Sequence, residues 1–348
     1  MSLLASKSYT FNPRPRYPLL LSVKRYWDPS SPHLNDPDAL TLVFTHGTGF
    51  HKELYEPTIA ELYARLGGAA GPKIREVWSI DAPNHGDAAV LNEHALRDGY
   101  DDEPVFGWQE YARGLHAFLA GLGTGVDVDF RTRRLVLVGH SMSCPAIILA
   151  LTYQPALAPA FLVMVEMMGI NPQAVPALMK FLTDGSAHRR DVWPSRADAY
   201  RLLKARPPWR AWDDRVLRIF VEAGLRPLPT LEYPDTDTEG VTLKCTRLQE
   251  TATYRDSLAS AVAYHLMRLV VKRFPTHFIQ GAVDDYLSRA VKDDFLDNAV
   301  GGAHNLASLA CVPGAGHLVV QTHPAGLAEA LFDVLKMESE GAGVQVKL

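Results

Sequence analysis

Four strand-like runs constrain this chain more than any other feature. Leu40-Thr-Leu-Val-Phe-Thr45, Ile74-Arg-Glu-Val-Trp-Ser-Ile80, Arg134-Leu-Val-Leu-Val138 and Phe161-Leu-Val-Met-Val165 are short, mostly apolar and rich in β-branched residues. Between them, residues 53–66, 108–122 and 145–153 carry apolar side chains at helical spacing (Leu54, Ile59, Leu62 and Leu66 in the first). Strands that do not alternate polar with apolar are buried on both faces. Alternation of such strands with helices predicts an α/β fold with a mostly parallel central sheet covered by helices on both sides. Leu19 to Trp27 reads as a further strand, and its proline-rich flanks suit an edge position.

Residues 170–273 break the rhythm. Helical patterns (Tyr200 to Ala205, Arg215 to Ala223, Leu258 to Arg273) are mixed there with Pro207-Pro208, Pro227, Pro229 and Pro234. The stretch reads as a mostly helical insertion rather than a sheet layer. It leaves the core after the strand ending near Glu166 and returns before the strand that starts near Pro275. The alternation resumes with Thr276-His-Phe-Ile-Gln280, Ala307 to Val312 and a closing helix, Pro324 to Met337. The expected organisation is a core of 1–169 and 274–340, a helical lid of 170–273 and a flexible tail of 341–348.

Composition excludes several classes of function. The net charge is -4 over 348 residues, so no basic excess drives nucleic-acid binding. Cys144, Cys245 and Cys311 are the only cysteines. An odd number without a C-x-x-C pair fits neither a disulfide scaffold nor a zinc site, and points to a reducing compartment. The longest apolar run near the middle of the chain stops at Glu166, too short to span a bilayer.

The chemistry is carried by Val138-Gly-His-Ser-Met-Ser143, between a strand and a helix. A serine at such a sharp reversal projects its hydroxyl from the carboxyl edge of the sheet, and the turn needs small residues two before and two after it. Gly139 and Ser143 meet that need, although Ser143 stands where glycine is usual. Ser141 is the candidate nucleophile, and the Met142 N–H at the helix N-terminus faces a developing oxyanion. His46-Gly-Thr-Gly49 follows the first core strand and can supply a second donor, from Thr48 or Gly49. His317, in Gly314-Ala-Gly-His317, is the candidate base, because a serine hydroxyl is a poor nucleophile without one. His323, at a helix start, and His85, in Asp81-Ala-Pro-Asn-His-Gly-Asp87, read as structural. Two acids can orient His317. Asp284 follows the penultimate strand, whereas Glu166 ends the strand after the serine helix, where a buried carboxylate is costly unless paired.

Ser, acid and His in this order along an α/β alternation resemble the α/β-hydrolase fold over residues 40–168 and 275–336. More narrowly, His46-Gly-Thr-Gly-Phe-His-Lys-Glu53, Asp81 to Asp87, Gly139-His-Ser-Met142, Trp212-Asp-Asp-Arg-Val216, Gly224-Leu-Arg226 and Gln249-Glu250 are similar to the fungal toxin-biosynthesis and peroxisomal branch, which includes acyl-CoA hydrolases of polyketide and meroterpenoid pathways. That resemblance implies Glu166 as the triad acid. Relatives of this branch often end in a tripeptide similar to Ser-Lys-Leu. Val346-Lys347-Leu348 matches it in Lys and Leu but not in Val, which implies an intracellular protein, peroxisomal or cytoplasmic.

The expected activity is a serine hydrolase acting on an ester or thioester of a hydrophobic acyl group, with a hydrophobic acyl ester or acyl-CoA as its substrate partner. Met168, Met179, Phe181, Trp193, Trp209, Trp212 and Phe220 would line an acyl tunnel under the lid. Acyl transfer or lyase chemistry on the same apparatus, and a non-catalytic ligand-binding homologue, are the alternatives. No metal or organic cofactor is implied. No motif specifies an oligomeric state, and a homodimer is compatible with the sequence.

Overall fold

The computed structural model describes residues 4–66, 71–98, 105–235 and 239–341. The Val346-Lys347-Leu348 tripeptide and nearly all of the expected tail lie outside them. The strands are β1 (Ala5–Phe11), β2 (Leu21–Trp27), β3 (Leu40–Thr45), β4 (Ile74–Ile80), β5 (Arg134–His140), β6 (Phe161–Val165), β7 (Val192–Trp193), β8 (Leu225–Pro227), β9 (Val241–Leu243), β10 (Thr276–Gly281) and β11 (Ser308–Val312). Eight of them form the main sheet, in the order β1-β2-β4-β3-β5-β6-β10-β11. From β4 to β11 every neighbouring pair is parallel, whereas β1 and β2 run antiparallel.

Side chains alternate between the two faces of the sheet, and each face has its own core. Leu135, Leu137, Leu162 and Met164 pack with the helices Trp108–Leu119 and Ser143–Ala150. Val136, Val138, Phe161, Val163 and Val165 pack with Glu56–Arg65 and Pro324–Ser339. Burial on both sides is why these strands carry no polar alternation.

The register sets up the site. Thr45 pairs with Gly139, His140 with Val165, Val165 with Ile279, and Gly281 with Val312. The loops that follow β3, β5, β6, β10 and β11 therefore emerge side by side at the carboxyl edge of the sheet, where open α/β sheets bind ligands.

The structure refines three sequence expectations. β2 is not an edge strand, because β1 covers its outer side. Ala5-Ser-Lys-Ser-Tyr-Thr-Phe11 is mostly exposed and lacks the apolar signature of a core strand. The insertion, read as mostly helical, also carries strands. β7, β9 and β8 make a small antiparallel sheet over a separate core of Trp193, Trp212, Val216, Leu217 and Phe220. Its strands are two or three residues long, too short for periodicity to reveal. Finally, the helix Ala259–Arg273, expected in the insertion, places Ala259, Ala263, Met267 and Val270 in the same cluster as Ala146, Ile147 and Ile148, so it belongs to a layer of the sheet core. No described helix is long and apolar enough to cross a membrane.

A buried ion cluster ties the first loop to the core. Lys52 Nζ lies 2.7 Å from Glu53, 2.8 Å from Asp81 and 2.7 Å from Asp87. Asp87 also meets Lys244 of the insertion. Burial opposes the Lys52 charge, but these three carboxylates outweigh it and raise the ammonium above its ordinary value. Lys52→Met would strand the fully buried Asp81 without its ammonium partner and leave the largely buried Glu53 to His51, 2.8 Å away. The expected loss is about 3–5 kcal/mol of stability, read as a lower urea midpoint with an unchanged m-value.

Candidate active site

Ser141 stands on a backbone that L-residues seldom adopt. Its φ is 58°, in the left-handed region. The strand-to-helix reversal imposes this, and small neighbours make the reversal possible. A Cβ on Gly139 would come within 2.8 Å of Ile147 Cδ1 and 3.1 Å of Cys144 N, and one on Gly47 within 3.0 Å of Ser141 Cβ. Ser143, where glycine was expected, has its own task. Its hydroxyl accepts from the His140 N–H at 2.8 Å and can donate to Thr45 O at 2.8 Å, stapling the ends of β3 and β5.

His317, in the loop after β11, places Nε2 3.0 Å from Ser141 Oγ and Nδ1 3.2 Å from Glu166 Oε2. A carboxylate only accepts, so the Nδ1–H donates to Glu166 and Nε2 is left to receive the serine proton. Two further contacts hold the loop. The His317 N–H donates to Asp285 Oδ1 at 2.9 Å, and the His140 Nε2–H donates to His317 O at 2.8 Å. Burial, reinforced by the nearby His317, brings the His140 pKa down to about 3, so that ring stays neutral.

Glu166 also has a left-handed backbone, with φ 45°, which swings its side chain from the end of β6 toward His317. Its Oε1 accepts from the Gly281 N–H at 2.6 Å and from Lys292 Nζ at 2.9 Å. Lys292 is itself buried and also donates to Gly281 O at 3.1 Å. Burial alone would raise the Glu166 pKa. Hydrogen bonds from His317, Gly281 and Lys292 outweigh it and lower the value to about 2.

Asp284, the other candidate acid, does not bond His317. It turns outward to Arg289 at 3.1 Å, with Lys292 at 3.7 Å. Its neighbour Asp285 instead holds the His317 backbone. The sequence reading missed the parts played by Lys292, Asp285 and His140. Only the doubled Asp284-Asp285 hinted that two acids share this turn, and nothing in Arg289-Ala-Val-Lys-Asp-Asp294 marks one lysine as buried.

The oxyanion candidates divide similarly. Thr48 and Met142 line the same cavity as Ser141 and His317, and among the described residues their N–H groups bond no backbone acceptor. Gly49 is corrected. Its N–H is committed to His85 Nε2 at 2.9 Å. His85 Nδ1 in turn donates to Asn84 Oδ1 at 2.7 Å, so the histidine next to the site holds the loop in shape. His323 bonds its neighbour Thr322.

The cavity at Ser141 encloses about 170 Å³. Met168, Trp209 and Trp212 of the expected tunnel wall it, together with Phe50, Trp108 and Met142. Phe181, Trp193 and Phe220 line a second cavity of about 320 Å³, which shares Trp209 and several other walls with the first. Met179 faces neither and packs in the core. The arrangement can deprotonate an alcohol, hold an imidazolium beside a carboxylate, and present backbone N–H groups to a nearby oxyanion.

Known proteins share this architecture. The chain is 31% identical over 225 residues to the type I acyl-CoA thioesterase mpaH of Penicillium brevicompactum, across 63% of this chain and 47% of that protein. The corresponding protein of Penicillium roqueforti is 29% identical over 206 residues, covering 58% and 43%. The chain thus spans about half the length of the thioesterases it matches. Among solved structures, the peroxisomal alpha-beta-hydrolase Lpx1 from Saccharomyces cerevisiae superposes with a TM-score of 0.72 at 20% identity, over 99% of this chain and 91% of that one. The thioesterase domain from the curacin biosynthetic pathway superposes with a TM-score of 0.60 at 13% identity, over 94% and 99%. The model of the alpha/beta hydrolase family matches residues 42–330. With that match covering most of the chain, and the sheet order and strand-end geometry in agreement, the chain belongs to the alpha/beta hydrolase family.

Proposed function

We propose that this chain is a serine hydrolase that cleaves thioesters of hydrophobic acyl groups. The observation that carries the reading is the continuous hydrogen-bonded line Glu166–His317–Ser141, which opens into an apolar cavity. Ser141 Oγ attacks the acyl carbonyl carbon while His317 Nε2 takes the hydroxyl proton. The N–H groups of Met142 and Thr48 stabilise the oxyanion, and losing one such donor costs about 10²–10³ in rate. Collapse breaks the carbon–sulfur bond, and the imidazolium gives its proton to the departing thiolate, which leaves as the thiol. Water, deprotonated by the same imidazole, then attacks the acyl-serine and releases the acid. Glu166 holds the ring and stabilises its positive charge.

Preference for a thioester over an oxygen ester is supported by the Penicillium relatives, which are named as acyl-CoA thioesterases. The insertion acts as a lid in this reading, since Leu178, Leu182, Trp209 and Trp212 wall the cavity that the sheet edge leaves open. A fluorophosphonate probe should label folded protein at a single residue, Ser141, by intact-mass and peptide analysis. Labelling should disappear after preincubation with a slowly turned-over acyl thioester. Absence of an adduct on Ser141 would overturn the reading.

A further inference from the structure

The inner cavity, at Ser141, and the outer one, at Phe181 and Trp193, adjoin. They share Leu182, Arg189, Pro208, Trp209, Glu250 and Tyr254 among their walls. Charge across the two cavities is uneven. The inner end, around Ser141, is apolar apart from the reacting groups. At the shared neck, Arg189 is answered by Glu250, with contacts of 2.7 Å to both carboxylate oxygens. In the outer cavity Arg190 and Arg206 remain. Both are exposed. Among the described residues, neither has a carboxylate partner, and Arg190 donates only to Val192 O at 3.2 Å. Two uncompensated guanidinium groups thus line the outer cavity of a chain whose net charge is -4.

We propose that this outer cavity is a phosphate-binding vestibule for the leaving group. Its ligand is a thiol carrier with a neutral arm that occupies the neck and a phosphoanhydride that reaches Arg190 and Arg206, while the acyl chain stays in the inner cavity. The inference rests on the thioester reading above and adds which end of the substrate is recognised, and by what. Guanidinium is the side chain best matched to phosphate, through paired N–H donors and a permanent charge. A Glu250-compensated neck suits an uncharged linker, because a free charge there would face a polar chain that carries none.

Two measurements on the full chain test this. In the first, kcat/KM is compared for one acyl group carried on coenzyme A and on pantetheine, which lacks the phosphoanhydride. Wild type should favour the coenzyme A thioester by about tenfold or more, mainly through KM, and 0.5 M salt should compress the ratio. Arg190→Ala/Arg206→Ala should bring the ratio toward one. Arg131→Ala, which removes a cation paired with Asp129 before β5, should leave it unchanged. In the second, Ser141→Ala protein is titrated calorimetrically with free coenzyme A, and the arginine substitutions should weaken binding by about tenfold. Equal kcat/KM for both carriers in wild type, or a preference that survives the double substitution, would overturn the vestibule while leaving the hydrolase reading intact. Arginine-dependent binding without any thioester turnover would do the reverse, supporting the vestibule and sinking the hydrolase.

Discussion

Ser141→Ala should lower kcat on every accepted acyl thioester or ester by about 10⁴–10⁶-fold, with KM and the urea unfolding midpoint close to wild type. The magnitude follows from the division of labour in such sites. Without the nucleophile no acyl-enzyme forms, and only the oxyanion donors and substrate positioning remain to assist water directly. The fold should tolerate the change. Among the described residues Ser141 Oγ bonds only His317 Nε2, and alanine keeps the Cβ that packs against Gly47. Alanine tolerates φ 58° about as poorly as serine does, so no new strain is introduced. A circular-dichroism melt beside a steady-state assay separates the two readings. Lost turnover with an unmoved melt assigns the hydroxyl to chemistry. Turnover equal to wild type would mean that Ser141 is not the nucleophile.

His317→Ala should be as damaging as Ser141→Ala, and the double variant little worse than either alone. Residues that act as one unit lose their whole contribution when any member is removed.

Much of the fold and of the site is legible in the sequence, for a physical reason. Elements buried on both faces, such as Leu40–Thr45 and Phe161–Val165, must be apolar throughout, and that leaves a strong pattern. Ser141 and His317 are legible because a tight reversal demands small neighbours and a base must follow at the same sheet edge. What stays hidden depends on tertiary contact. β1 is mostly exposed, so its sequence is polar. Gly49 reads as an oxyanion donor because nothing local shows that His85, in another loop, binds its N–H. Spacing does not separate Glu166 from Asp284, since both follow strands that end at the same edge. The left-handed turn at Glu166 and the buried Lys292 behind it are what distinguish them, and neither leaves a local signal.

That distinction yields the second large effect. Glu166→Gln should lower kcat by about 10⁴-fold, because an amide cannot stabilise the imidazolium and can reverse the imidazole tautomer by donating to Nδ1. Asp284→Asn should change kcat less than about threefold, since its carboxylate bonds Arg289 and not His317, and rim ion pairs contribute little. The reverse ranking would move the acid's role to Asp284. Lys292→Met probes the same assignment through pH. The Glu166 pKa of about 2 lies below the ordinary 4.5. The stabilisation from its ionised form is therefore complete above about pH 4.5 and fades only as pH falls toward 2. Glu166 meets His317, the Gly281 N–H and Lys292 directly, with Asp284 3.7 Å from the Lys292 ammonium. Removing that ammonium leaves burial opposed by fewer favourable contacts. The carboxyl then protonates at higher pH, so the onset of acid unfolding should move upward. Lys292→Arg, which keeps the charge, should recover part of the shift. An onset of acid unfolding that stays in place in Lys292→Met would mean that Gly281 and His317 alone keep Glu166 ionised.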